Sequence, residues 1–229
     1  MAVFYIVGCV IILCINRNAL LNSFQQIFVL AFNPQAMAGG VAGATVKAAM
    51  RYGVARGLFS NEAGMGSTPH AHALAKVKDP RDQGVIAMIG VFIDTFIILT
   101  LTALVIISSG VIPGGETGSA LAQHAFNLAF GSFGDIFIAI CMLFFAFSTI
   151  IGWYFFGQVN IKALFGERAV KIYSAIVVLF VIIGSYLKVD LVWNLSDLFN
   201  GLMVIPNLIA LLALSGLVAK IHQGNDLKN

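Results

Sequence analysis

Apolar residues in this chain come in long runs, and polar residues and glycines cluster between them. Each run long enough to cross a bilayer, roughly 20 mostly apolar residues, predicts a transmembrane helix. Residues 2–15 form the first run, short for a crossing and without a basic stretch or cleavage site, so it reads as a mature span rather than a leader. Residues 18–32 are moderately apolar and stop at Asn33-Pro34, which predicts a short interfacial or re-entrant helix. A third helix is predicted over 39–59, and it carries Lys47, Arg51 and Arg56. After a polar break at 60–67, a half-helix is predicted over 68–77, with Pro69 near its start, where a missing N–H is harmless. Further spans are predicted at 83–107, 133–157, 170–187 and 191–219. An amphipathic stretch over 117–129 suits an outer gate or lid helix. The pattern predicts an all-α, polytopic membrane protein: a single transmembrane region over 1–229 with one broken helix.

The break is the sequence Ser60-Asn61-Glu62-Ala63-Gly64-Met65-Gly66-Ser67-Thr68-Pro69. Non-helical backbone at membrane depth persists only where protein buries it or where it lines a wet cavity. Broken helices of this kind form the midplane sites of secondary transporters. Loop charges set the orientation. Lys76, Lys78 and Arg81 share one connection, Lys162, Arg168 and Lys171 the next but one, and Lys220 and Lys228 the tail; these face the cytoplasm. The connection over 108–132 has no Lys or Arg and faces out. From Asn61 to Lys76 is 15 residues, about 22 Å at the helical rise, which places 60–67 near the bilayer centre. Arg56 lies one turn before the break, where an unpaired cation is costly. It therefore predicts a carboxylate partner or a wet cavity, and Glu62 is one candidate.

Two further places carry polar chemistry at depth. Asp94-Thr95 lies near the middle of its span, and an intramembrane carboxylate serves either function or a hydrogen bond to a neighbouring helix. Ser148-Thr149 sits in the aromatic run Phe144-Phe145-Ala146-Phe147. Its hydroxyls can back-bond their own helix carbonyls, or join a carbonyl one turn earlier as oxygen ligands for a small hard cation.

Composition excludes other classes. Hydrophobic residues make up 59% and charged residues 10%, against about 25% charged in soluble domains, and the mean hydropathy is +0.95. The net charge of +3 is scattered, so nothing points to nucleic acid. Cys9, Cys14 and Cys141 match no metal or redox spacing. His70 and His72 lie two apart, on opposite sides of a helix, and predict no transition-metal site. The Gly64 to Thr68 stretch lacks a P-loop lysine, and no serine sits in a Gly-x-Ser-x-Gly elbow, so no enzyme and no cofactor is expected.

The run Arg51-Tyr52-Gly53-Val54-Ala55-Arg56-Gly57-Leu58-Phe59-Ser60-Asn61-Glu62-Ala63-Gly64-Met65-Gly66-Ser67-Thr68-Pro69-His70-Ala71-His72-Ala73, followed by Val91-Phe92-Ile93-Asp94-Thr95, resembles the alanine/glycine:cation symporter family, the sodium:alanine symporters. The resemblance extends over essentially the whole chain. It implies a LeuT-type fold built from two inverted five-helix repeats, here in part, as core helices five to ten. Family members are roughly twice this length, so the resemblance covers a C-terminal half and implies a missing N-terminal half as partner. It implies sodium-coupled, or proton-coupled, transport of a small neutral amino acid such as alanine or glycine across the cell's plasma (inner) membrane. Under it, Phe59, Ser60, Asn61, Gly64 and Gly66 would meet the amino acid's charged ends, and Trp153 would wall the pocket. Phe145, Ser148 and Thr149 would hold the cation, supported by Thr95 or Asp94. The alternative expectation is a truncated, non-transporting membrane remnant with a structural or interaction role.

Overall fold

The computed structural model of the protein describes residues 1–32, 46–62, 64–111 and 118–222, and these are helical with no strand among them. Among the described residues, four helical runs are long and apolar enough to cross a membrane: Pro80–Ser108, Ser132–Phe165, Glu167–Tyr186 and Val189–Ile221. The chain is a multi-pass helical membrane protein.

Helices α1 (Ala2–Ile15) and α2 (Arg17–Phe32) meet at a bend of 108°. Neither alone is the length of a crossing; together they have the length and composition of one broken span or a re-entrant pair. Helix α3 (Val46–Ser60) leads into the break; the expected start at residue 39 lies outside the described residues. The half-helix expected over 68–77 is shorter, since α4 is Thr68–His72. Beyond it the backbone passes into tight turns, with the Leu74 N–H bonding Ala71 and the Ala75 N–H bonding His72. Helix α5 (Pro80–Phe92) starts on its proline and runs through a π-helical segment, Ile93–Leu99, into α6 (Thr100–Ser108). Helix α7 (Ser119–Phe130) lies between Gly118 and Gly131, at φ 62° and 60°, left-handed positions where glycine is the natural residue; residue 117 is outside the described residues. The spans expected at 133–157, 170–187 and 191–219 are α8 (Ser132–Phe165), α9 (Glu167–Tyr186) and α10 (Val189–His222). The first and last outrun the expectation, because helix continues past the apolar stretch into polar flanks such as Gln158 to Lys162 and Lys220.

The chain forms two compact units. The first comprises residues 1–54 and 90–149 and holds a buried aromatic and aliphatic core. Tyr5, Cys9 and Ile12 of α1 meet Val105 of α6, Phe126 of α7 and Phe137 of α8. Phe126 and Phe137 stack at 5.4 Å, and the Tyr5 hydroxyl pairs with Thr102 at 2.9 Å. Gly8 of α1 is needed for close approach, since a side chain there would run into the Phe137 ring. The second unit comprises residues 55–89 and 150–229 and contains the break, α4, and the parts of α5 and α8 in those ranges, with α9 and α10. Its α8 and α9 are joined by Tyr154 and Tyr173, stacked at 5.5 Å, and by a 2.7 Å bond between the Tyr154 and Ser174 hydroxyls.

Candidate functional site at the helix break

Helix α3 ends at Ser60, and helical backbone resumes at Thr68. Between them the backbone takes left-handed φ at Glu62 (50°), Gly64 (77°) and Gly66 (78°). Two glycines accept that geometry without penalty. Glu62 does not, since a left-handed non-glycine residue costs about 1–2 kcal/mol, so something must hold it. Its carboxylate accepts the Ser67 hydroxyl at 2.5 Å and the Thr68 hydroxyl at 2.7 Å, closing the loop on itself. Asn61 secures the other side: its side-chain amide donates to the Gly57 carbonyl at 2.8 Å and tucks back onto the last turn of α3. Met65 and Ser67 are buried, while the His70 ring donates through Nδ1 to the Ser67 carbonyl at 3.0 Å. The break is thus a built turn with its own hydrogen bonds.

Arg56 has the carboxylate partner expected of it, but the candidate Glu62 is not that partner. Its carboxylate partner is Asp197 of α10, not Glu62, in a two-pronged pair at 2.8 and 3.2 Å. The guanidinium also lies over the Trp193 ring at 3.8 Å, and Phe59 meets the same ring edge-on at 5.8 Å. Glu62 is drawn to hydroxyls five and six residues away, within its own turn, leaving Arg56 to a residue 141 positions distant. Farther along α10, the Asn207 amide donates to the Gly64 carbonyl at 2.9 Å. Trp193, Asp197 and Asn207 are the site residues that the sequence reading does not name. A signal was present: Asp197 is an intramembrane carboxylate, judged by the same rule as Asp94, and at 100° per residue all three fall within about 80° of one helix face.

Below the break, α4 and the start of α5 enclose a cleft of about 730 Å³ lined by Thr68, His72, Lys78 and Gln83 among others. Gln83 bonds His72 across it at 2.5 Å. In the neighbouring connection, the Arg81 side chain bonds Asp79 and holds its carboxyl below the usual carboxylate range.

Of the sequence-predicted residues, Phe59, Ser60, Asn61, Gly64 and Gly66 gather at the break, in the second unit, which also contains Trp153 of α8, edge-on to Phe156 at 5.8 Å. Asp94, Thr95, Phe145, Ser148 and Thr149 belong to the first unit. There the Ser148 and Thr149 hydroxyls both donate to the Phe145 carbonyl, at 2.9 and 2.8 Å, so three oxygens stand together on one turn of α8. Asp94 and Thr95 lie in the π-helical segment, a local widening of the helix frequent at functional sites.

Comparison with known proteins gives one consistent answer. The model of the sodium:alanine symporter family matches residues 1–226. An uncharacterized transporter of Haemophilus influenzae is 40% identical over 93% of this chain and 47% of its own length. The sodium/alanine symporter AgcS of Methanococcus maripaludis is 40% identical over 95% of this chain and 48% of its own length. The probable sodium/glutamine symporter GlnT of Bacillus subtilis is 41% identical over 95% of this chain and 45% of its own length. The chain therefore spans about half the length of these relatives.

Proposed function

Because the chain belongs to the sodium:alanine symporter family, we propose that it is the C-terminal part of a secondary transporter that brings a small neutral amino acid, alanine or glycine, into the cell together with sodium. The observation that carries this reading is the hydrogen-bonded break between Ser60 and Thr68 in a chain otherwise fit for the membrane. A transporter site needs backbone N–H and C=O groups released from helical bonding and kept in fixed geometry. The left-handed turns at Gly64 and Gly66 and the latch at Glu62 provide that fixity.

In this reading the amino acid's ammonium and carboxylate meet the backbone of Phe59, Ser60, Gly64 and Gly66 and the Asn61 amide. Trp153 walls the pocket and limits the side chain. Sodium is held by the hydroxyls of Ser148 and Thr149 and the Phe145 carbonyl, with Asp94 or Thr95 in support. The two hydroxyls keep lone pairs for a cation while they donate to Phe145. A proton is the other coupling ion compatible with the family. The fold is the LeuT type, core helices five to ten, in the plasma membrane; the other half of the family's length supplies the remaining ligands. Relatives at nearly equal identity bear the names of alanine and glutamine symporters, and in this reading Trp153 is the wall position that limits the side chain.

Proteoliposomes test it. Those holding the 229-residue chain alone should accumulate no L-alanine under an inward sodium gradient. Those holding it together with a polypeptide covering the N-terminal half of a family member should do so. Absence of uptake from the paired preparation, with both polypeptides inserted and associated, would favour a non-transporting remnant.

A further inference from the structure

We propose that Asn207 is a positioning residue for the amino-acid site: from the last helix, its side-chain amide sets the left-handed turn through Gly64 and Gly66. The proposal rests on the functional reading above for what the turn binds, but not for how the turn is held. The amide donates to the Gly64 carbonyl at 2.9 Å, joining residues 143 apart in sequence. The same side chain packs close against Gly66. A Cβ at that position would stand 2.8 Å from Asn207 Oδ1 and 2.9 Å from its Cγ, so no side chain can share the space unless the amide moves. One side chain thus fixes both glycines of the break, each at a φ only glycine takes freely.

The rest of α10 makes the contact more than incidental. An amide at membrane depth is costly unless paired, and this one spends its donor on the turn rather than on its own helix. Pro206 immediately precedes it inside α10. Proline removes the N–H that would bond the carbonyl four residues back and crowds that carbonyl, so helical continuity is locally weaker where Asn207 reaches out. Ten residues earlier, about 15 Å along the axis, Asp197 grips Arg56 on the helix that enters the break. Helix α10 therefore holds the break at two points, the entering helix through Asp197 and the turn through Asn207. Only the second touches the backbone proposed to meet substrate.

Two measurements decide it. In the membrane-reconstituted 229-residue chain, Asn207→Ala and Asn207→Leu should each speed backbone hydrogen exchange at Met65, Gly66 and Ser67 at least tenfold. Leucine nearly keeps the shape but cannot donate. The amides of α8 and α9 should stay within twofold, as should all of these amides in the outward-facing control Leu212→Ala. In the paired proteoliposomes, both Asn207 variants should raise the KM for L-alanine about tenfold and shift the sodium concentration for half-maximal uptake less than twofold. Unchanged exchange at residues 65–67 would overturn the proposal. So would acceleration spread through α8 and α9, which marks a general folding role, or a fall in maximal rate with KM unchanged. If the wild-type pair moves no alanine, the transport reading fails while the exchange measurement still decides the hold of Asn207 on the turn.

Discussion

Removing Asp197 or Arg56 alone should destabilise the protein far more than removing both. The pair is two-pronged, at 2.8 and 3.2 Å, and the guanidinium is backed by Trp193 at 3.8 Å. In water such a pair contributes about 0–1 kcal/mol. Two unit charges 4 Å apart at an effective dielectric near 20 attract by about 4 kcal/mol, and a stranded partner in a fully buried pair costs about 3–5 kcal/mol. The side chains of Arg56 and Asp197 are 31% and 38% exposed, so the value lies between these limits. For Asp197→Leu a loss of about 2–3 kcal/mol is expected, and for Arg56→Leu about 1 kcal/mol more, because the contact with Trp193 goes too. Arg56→Leu with Asp197→Leu leaves no stranded charge and should recover to within about 1 kcal/mol of the original chain, a coupling of at least about 4 kcal/mol. Forced unfolding of the four proteins in bilayers reads these differences directly. A coupling below about 0.5 kcal/mol would refute the reasoning, since it would mean that water bathes the pair and that α10 does not clasp the helix entering the break.

Gly66→Ala should cost about 1–2 kcal/mol for left-handed strain alone, with a further penalty where its Cβ meets the Asn207 amide. Adding Asn207→Ala should relieve only some of the second part in the same unfolding measurement, since the Cβ at 207 stays 3.1 Å away, and full recovery would show that the turn is not held left-handed. In the paired proteoliposomes, Thr149→Ala should raise the sodium concentration for half-maximal uptake severalfold, with little change in which amino acids are accepted. Trp153→Ala should widen the accepted side chain and leave sodium dependence largely intact. If Thr149→Ala leaves sodium dependence unchanged and Trp153→Ala abolishes folding, the two residues have only structural roles.

The break was legible because lipid makes loose backbone expensive, so a glycine-interrupted polar run inside an apolar chain has few explanations. The long spans were legible for the same reason: a run of some 20 apolar residues is its own signal. What holds the break was not. Arg56 called for a carboxylate, but a single sequence does not say which one, and Glu62 was one candidate among others. The turn itself takes Glu62, because a left-handed residue followed by Ser67 and Thr68 brings the hydroxyls back within reach. Asp197 and Asn207 stand 141 and 143 residues from their partners, and no periodicity within α10 states which helix its polar face will meet. The π-helical segment was equally hidden: Asp94 and Thr95 mark polar chemistry within 93–99, but one wider turn leaves no mark of its own on the hydrophobic pattern.

Exposure in this chain must be read against its solvent. Helix α10 has 0% of its most apolar window buried, and α9 has 6%. In water such faces would aggregate; in a bilayer they are covered by lipid or by another polypeptide at little cost. Apolar packing between helices is then a weak discriminator, because lipid tails are as apolar as leucine. Polar contacts carry more of the specificity, since an unpaired amide or charge has no good alternative partner in hydrocarbon. On that basis α10 finds its place in the second unit through Asp197 and Asn207 rather than through its many leucines, and both contacts end on the broken helix. The two contacts on α10 should therefore separate in their effects: Asp197→Leu should lower the stability of the unit, Asn207→Ala should loosen the turn and leave α8 and α9 undisturbed, and a change at an exposed leucine of α10 should do neither.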